Sequence, residues 1–122
     1  MNILSVKGLS FSYDQKTPVL NCVSLEIQTG TVTALLGKNG SGKSTLLDLL
    51  IGIHKPSKGK IYLNGQDLSL LSATETARLV AYVPQNSVIN MDYSVFEYIL
   101  FGRSCHIPLG KSPGPHDHEK AY

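Results

Sequence analysis

The sequence is short of the features that would place it in several large functional classes. It has no long hydrophobic run: the most apolar stretch, Leu46 to Ile53, contains Asp48 and is far shorter than the roughly 20 residues of a bilayer-spanning helix. Its opening residues, MNILSVKGLSFSYD, lack both a basic leader and a long apolar core, so no signal peptide is expected and the chain reads as cytosolic. Cysteine is scarce. Cys22 and Cys105 have no second thiol at metal-ligand spacing, and in a reducing compartment they read as two reduced thiols. With 16% charged residues and a net charge of +2, the chain has no Lys/Arg cluster interleaved with aromatics, so nucleic acid is not an expected partner and any anion site must be local. No internal repeat or low-complexity tract occurs.

What remains is a chain of 122 residues, 42% hydrophobic, sufficient for one small domain with a single core. Leu9, Phe11 and Tyr13 alternate with polar residues, as do Val23, Leu25 and Ile27, the period of half-buried strands joined around DQKTP. Thr31 to Leu36 is a nearly continuous β-prone run, as in a strand buried on both faces. STLLDLLIGI, apolar almost all round, predicts a sandwiched helix closed by Gly52. HKPSKG reads as a loop, and KIYLNG as a strand ending in an Asn-Gly turn. Ser72 with Glu75 and Ser94 with Glu97 form two capping boxes that open helices, and AYVPQ between them reads as a strand stopped by Pro84. From Ile107 onward, prolines, glycines and histidines without a period predict a poorly ordered, solvated tail. Cys105 and His106 at its edge and His116, Asp117 and His118 within it could form a metal cluster, but their irregular spacing favours solvation over metal ligation.

The run GKNGSGKST fits the pattern of a phosphate-binding loop. Gly37, Gly40 and Gly42 permit backbone conformations and close approaches that a Cβ would obstruct, so successive N–H groups converge on phosphate oxygens. The helix start that follows adds unpaired N–H donors and a positive dipole end. Lys43 supplies a point charge for the β- and γ-phosphates, and Ser44 a hydroxyl for Mg²⁺. By composition alone, a chain of this length would match the pattern roughly once in a few hundred cases. The predicted strand before it and helix after it lower the odds of coincidence further. No Asn-Lys-x-Asp stretch is present to read guanine, which leaves adenine or a weakly selective site. Tyr13 could offer a base a ring face worth about 1–3 kcal/mol, and equally reads as a core or edge aromatic.

Four stretches, in order, resemble the amino-terminal half of an ATP-binding-cassette transporter ATPase. FSYD, with Tyr13, is similar to that family's adenine-stacking loop, GKNGSGKST to its Walker A motif, KGKIYLNGQDL to the hairpin that follows, and AYVPQ, with Gln85, to its Q-loop. YSVFEYILFGR is most similar to the subgroup that drives uptake of iron–siderophore complexes, haem or cobalamin. The resemblance implies an α/β P-loop NTPase with an antiparallel β-subdomain. Residues 1–86 would form part of the ATPase core and residues 87–122 the start of a helical subdomain.

It implies ATP and Mg²⁺ as cofactors, held by Tyr13 and by Gly37, Lys38, Asn39, Gly40, Ser41, Gly42, Lys43, Ser44 and Thr45. Lys43 and Gln85 would have catalytic roles, with Ser44 and Gln85 toward the metal, although Gln85 taken alone reads as a polar residue at a strand end. The implied partners are membrane permease subunits and a second ATPase subunit, at the cytoplasmic face of the membrane.

The same resemblance makes certain parts conspicuous. No aspartate among Asp14, Asp48, Asp67, Asp92 and Asp117 closes a buried strand, and neither a Leu-Ser-Gly-Gly-Gln signature nor a switch histidine follows. The expectation is a truncated domain, marginally stable in isolation, that binds ATP without hydrolysing it. A small P-loop kinase is a weaker alternative, since only Arg78 and Arg103 could serve a phosphate-gripping lid.

Overall fold

The computed structural model describes residues 1–85 and 92–122. Two compact units are present, Met1–Leu79 and Val80–Tyr122. The boundary expected between residues 86 and 87 lies outside the described residues.

The first unit is built on an antiparallel four-stranded sheet of order β2-β1-β3-β4, with β1 at Asn2–Phe11, β2 at Leu20–Gln28, β3 at Lys58–Leu63 and β4 at Gln66–Asp67. In β2, half-buried Val23, Leu25 and Ile27 alternate with exposed Ser24, Glu26 and Gln28, as their period predicts. β1 carries a complication the period does not show. Leu4, Val6, Leu9 and Phe11 are all buried, yet Val6 and Leu9 are an odd number of residues apart and would point to opposite faces of a regular strand. A register shift between them, with Gly8 at φ 58°, restores both side chains to the core. The bulge leaves the Gly8 amide free to donate to Ser24 Oγ at 2.8 Å. A similar irregularity between Leu9 and Phe11 faces Cys22, at φ 52°, whose amide donates to Ser10 Oγ.

β3 and β4 meet at Asn64 and Gly65, both at positive φ, the turn expected from the Asn-Gly pair. Helix α1, Lys43–Leu50, lays Thr45, Leu46 and Leu49 into this unit. It ends as anticipated at Gly52, at φ 79°, with the Ile53 amide reaching back to the Asp48 carbonyl. Leu9 and Leu49 are completely buried, each contributing about 2 kcal/mol by transfer from water.

Three expectations are corrected. Residues 31–36 and 81–85 form no strand; Val32, Leu36 and Val83 are almost fully exposed. A strand exists only within a ladder, and no described segment pairs with either stretch. For the same reason α1 is covered on one side only, leaving Leu47 exposed.

The third correction concerns the tail. Residues 115–121 form a helix, α4 at Pro115–Ala121, after α2 at Ala73–Leu79 and α3 at Val95–Phe101. Pro115 opens α4 with its φ already suited to a first helical turn. The Asp117 carboxylate accepts from the Gly114 amide at 3.0 Å and from Arg103 Nε at 3.2 Å. Phe96 of α3 then stacks on His118 and meets Tyr122. Both capping boxes form as read: Ser72 and Glu75 close one at α2, Ser94 and Glu97 one at α3.

Candidate functional site

The glycines of residues 37–45 differ in what they permit. Gly42 immediately precedes α1 at φ 90°, and a Cβ there would lie 2.9 Å from Leu20 Cδ2 and 3.2 Å from the Val19 carbonyl oxygen. The loop is thus seated directly on the start of β2. Gly40, at φ 79°, faces open space, and its conformation alone favours glycine. Gly37 has an ordinary φ, but a Cβ there would fall 2.6 Å from Ser41 Oγ, inside the loop's own curve. Between them Lys38 and Asn39 are exposed, and the Ser41 amide closes a turn on the Lys38 carbonyl at 3.2 Å.

Lys43 folds back across this turn, donating from Nζ to the Gly37 and Lys38 carbonyls, each at 2.8 Å. Its ammonium therefore rests over the concave side of the loop, held by oxygens that a phosphate oxygen can replace. The first intrahelical bond at this end runs from the Leu46 amide to the Gly42 carbonyl at 2.8 Å, so the preceding amides of the first turn have no carbonyl of the helix to bond. Ser44 is exposed beside them. A cradle that a Cβ would fill, an ammonium over it and uncommitted helix N–H groups fit a polyphosphate. Ser44 adds the hard oxygen donor that Mg²⁺ prefers.

Tyr13 is brought to the same place. It lies just beyond β1, with its ring centroid 4.9 Å from Phe11 and 5.5 Å from His54, perpendicular to both. Phe11 and His54 stack on each other at 5.4 Å. Tyr13 Oη is 3.0 Å from Thr45 Oγ1, across 32 residues of sequence. Asp14 shapes the connection that follows, accepting from the Lys16 and Thr17 amides at 2.9 and 2.8 Å and from Ser12 Oγ. Those donors, the Thr17 amide foremost, hold its carboxyl well below the usual carboxylate range.

Sequence reasoning singled out the contiguous loop and Tyr13 as candidates, and it did not anticipate Thr45 as a partner of Tyr13 or His54 and Phe11 as its neighbours. No local signal marks a pairing over that separation. Gln85 belongs to the second unit and is exposed. Among the described residues no group of three or more His, Cys, Asp and Glu is placed to hold a metal ion. Of the candidate tail ligands, Asp117 is engaged by Arg103 and His118 by Phe96. No helix among the described residues is long and apolar enough to cross a membrane.

Comparison with known proteins gives a consistent picture. The family model described as ABC transporter matches residues 20–121. The molybdate import ATP-binding protein MolC of Haemophilus influenzae is 38% identical over 118 residues, 97% of this chain and 42% of that protein. A protein of Helicobacter pylori named "probable iron chelatin transport ATP-binding protein" is 38% identical over 112 residues, 91% of this chain and 44% of its own. A solved structure of the ATP binding subunit of an ABC transporter superposes with a TM-score of 0.74 at 32% identity, covering 90% of this chain and 44% of that one. The chain thus spans less than half the length of these relatives.

Proposed function

The chain belongs to the ABC transporter family, and from that premise we propose that it is the nucleotide-binding portion of the ATPase subunit of an importer. ATP lies with its phosphates on Gly37 to Thr45, under Lys43 Nζ, and its base against Tyr13, and Ser44 would offer its hydroxyl to Mg²⁺. The observation that carries this reading is the meeting of Tyr13 with the first turn of the phosphate-loop helix, through Thr45. A base-stacking ring and a polyphosphate cradle are then parts of one site. Bound Mg²⁺ would neutralise phosphate charge; Lys43 would exchange its two carbonyl partners for phosphate oxygens.

Importer function is supported by the names of two relatives, one a molybdate import and one a probable iron chelatin transport ATP-binding protein. The cargo we favour is an iron–siderophore complex, haem or cobalamin, on the resemblance of YSVFEYILFGR. The partners are permease subunits and a second ATPase subunit, and the location is the cytoplasmic face of the membrane.

A second reading holds for these 122 residues taken alone: they bind ATP and do not hydrolyse it. Its support is that three of the five aspartates are engaged elsewhere. Asp14 is engaged in its turn, Asp67 by Lys60 and Ser69, and Asp117 by Arg103. None of these carboxylates is left to polarise an attacking water.

Titration calorimetry with ATP and Mg²⁺ tests both. Micromolar to millimolar binding, weakened about tenfold or more by Lys43→Ala, is expected. Absence of binding, or indifference to Lys43→Ala, refutes the site. Steady phosphate release that Lys43→Ala abolishes refutes the second reading, and failure of the full-length protein to co-purify with permease subunits refutes the transporter assignment.

A further inference from the structure

Assigning a base to Tyr13 and phosphates to residues 37–45 leaves open what fixes one end of the ligand relative to the other. Tyr13 is 61% exposed, whereas Thr45 is buried in the first turn of α1. The threonine is therefore the anchor, and the ring is what projects. Phe11 and His54 meet Tyr13 at interplanar angles of 85° and 89°. Such aromatic contacts are broad in energy and let a ring shift by fractions of an ångström. The hydroxyl pair at 3.0 Å is directional, and it ends on the helix that carries the phosphate loop. The backbone after Tyr13 is held by the Asp14 turn, so the ring moves as a side chain rather than with a loose loop.

Resting on the nucleotide reading above, we propose that Thr45 is a positioning residue for the base. Through its hydroxyl it sets the place of the Tyr13 ring relative to the phosphate cradle. The site thereby prefers a nucleoside triphosphate, with an aromatic base at one end, over a bare polyphosphate of the same charge. Removing either hydroxyl leaves both binding surfaces in being but uncouples their spacing.

The test is the ratio of affinities for ATP and for inorganic tripolyphosphate, each titrated with Mg²⁺ into the purified protein. Thr45→Val removes one hydroxyl at nearly constant volume, and Tyr13→Phe removes the other from an exposed ring, so the second variant carries the test if the first does not fold. Each is expected to lower the ratio about three- to tenfold, the worth of one directional hydrogen bond. The double variant should fall no further than either single one, and Thr45→Ser should restore the ratio. An unchanged or increased ratio in Tyr13→Phe, single losses that add in the double variant, or a serine variant that behaves like the valine one overturns the proposal. A loss that scales both ligands alike also overturns it, because it places Thr45 in phosphate binding alone. Failure of the unaltered protein to bind tripolyphosphate refutes the phosphate reading, and equal affinity for the two ligands refutes the base reading; the proposal falls with either, by a distinct result.

Discussion

Alanine substitution at the three loop glycines should separate folding from binding, because the structure gives each a different reason to be glycine. At Gly42 two costs combine. A non-glycine residue at φ 90° is strained by about 1–2 kcal/mol. The new Cβ also meets Leu20 Cδ2 at 2.9 Å and the Val19 carbonyl at 3.2 Å, an overpacking against buried Leu20 and backbone that costs about 1–3 kcal/mol. Gly42→Ala should therefore destabilise the first unit by about 2–5 kcal/mol. Gly40→Ala carries strain at φ 79° but no collision within 4 Å. Part of that strain is offset by the lower entropy of the unfolded chain, leaving about 0.5–1 kcal/mol.

Gly37→Ala meets only the exposed Ser41 hydroxyl, at 2.6 Å, which can rotate away. Its stability should change by less than about 0.5 kcal/mol. Yet that same rotation places a methyl group and a displaced hydroxyl inside the cradle, so Gly37→Ala should weaken ATP binding although the fold is intact. Urea denaturation followed by circular dichroism gives the stability order, and calorimetric titration the affinities. Gly37→Ala as destabilising as Gly42→Ala, or Gly40→Ala more so, would refute the reasoning.

Three further outcomes are expected. Ser94→Ala removes the hydroxyl that accepts from the Glu97 amide, so α3 should lose about 1 kcal/mol, seen as faster hydrogen exchange over its first turn; Ser72→Ala should do the same at α2. The Asp67 carboxyl is lowered from 3.8 to about 2, by Lys60 first and then by the Ser69 hydroxyl and amide. Because the folded value is the lower one, this stabilisation is complete above about pH 3.8 and is lost as the pH falls through about 2. Asp67→Asn should flatten that part of an acid-unfolding curve, with a residual slope left by Asp14, whose carboxyl is also held low. The exposed apolar residues Val32, Leu36 and Val83 should bind a hydrophobic dye and promote concentration-dependent aggregation, both reduced by Leu36→Lys; an unchanged dye signal would contradict that expectation.

What could be read from the sequence depended on how local the deciding interaction is. Val23, Leu25 and Ile27 announce β2 because one face packs and the other does not, a relation repeated every two residues. The bulge at Gly8 breaks that period within β1, and only the pairing with β2 reveals it. TVTALL has a strand's composition, but composition does not supply the neighbour a ladder requires. α4 was obscured by its polar sequence, although Pro115 at its first position and Asp117 two residues later were legible as a helix start. The candidate phosphate loop stood out in the sequence because its parts are contiguous. The Tyr13–Thr45 bond was not, since nothing in either residue's surroundings names the other.

The connection between β1 and β2 stands on the phosphate-loop helix at two points. Its incoming leg ends with Tyr13 against Thr45, and its outgoing leg brings Val19 and Leu20 beneath Gly42. With both feet planted at the start of α1, the span from Tyr13 to Val19 is a gauge of fixed length, held in shape by the Asp14 turn. Exposed Lys16 can change identity without disturbing either foothold. An added or deleted residue in that span cannot be absorbed without lifting one foot, so the number of residues at the ribbon tip belongs to the proposed nucleotide site as much as any side chain in it.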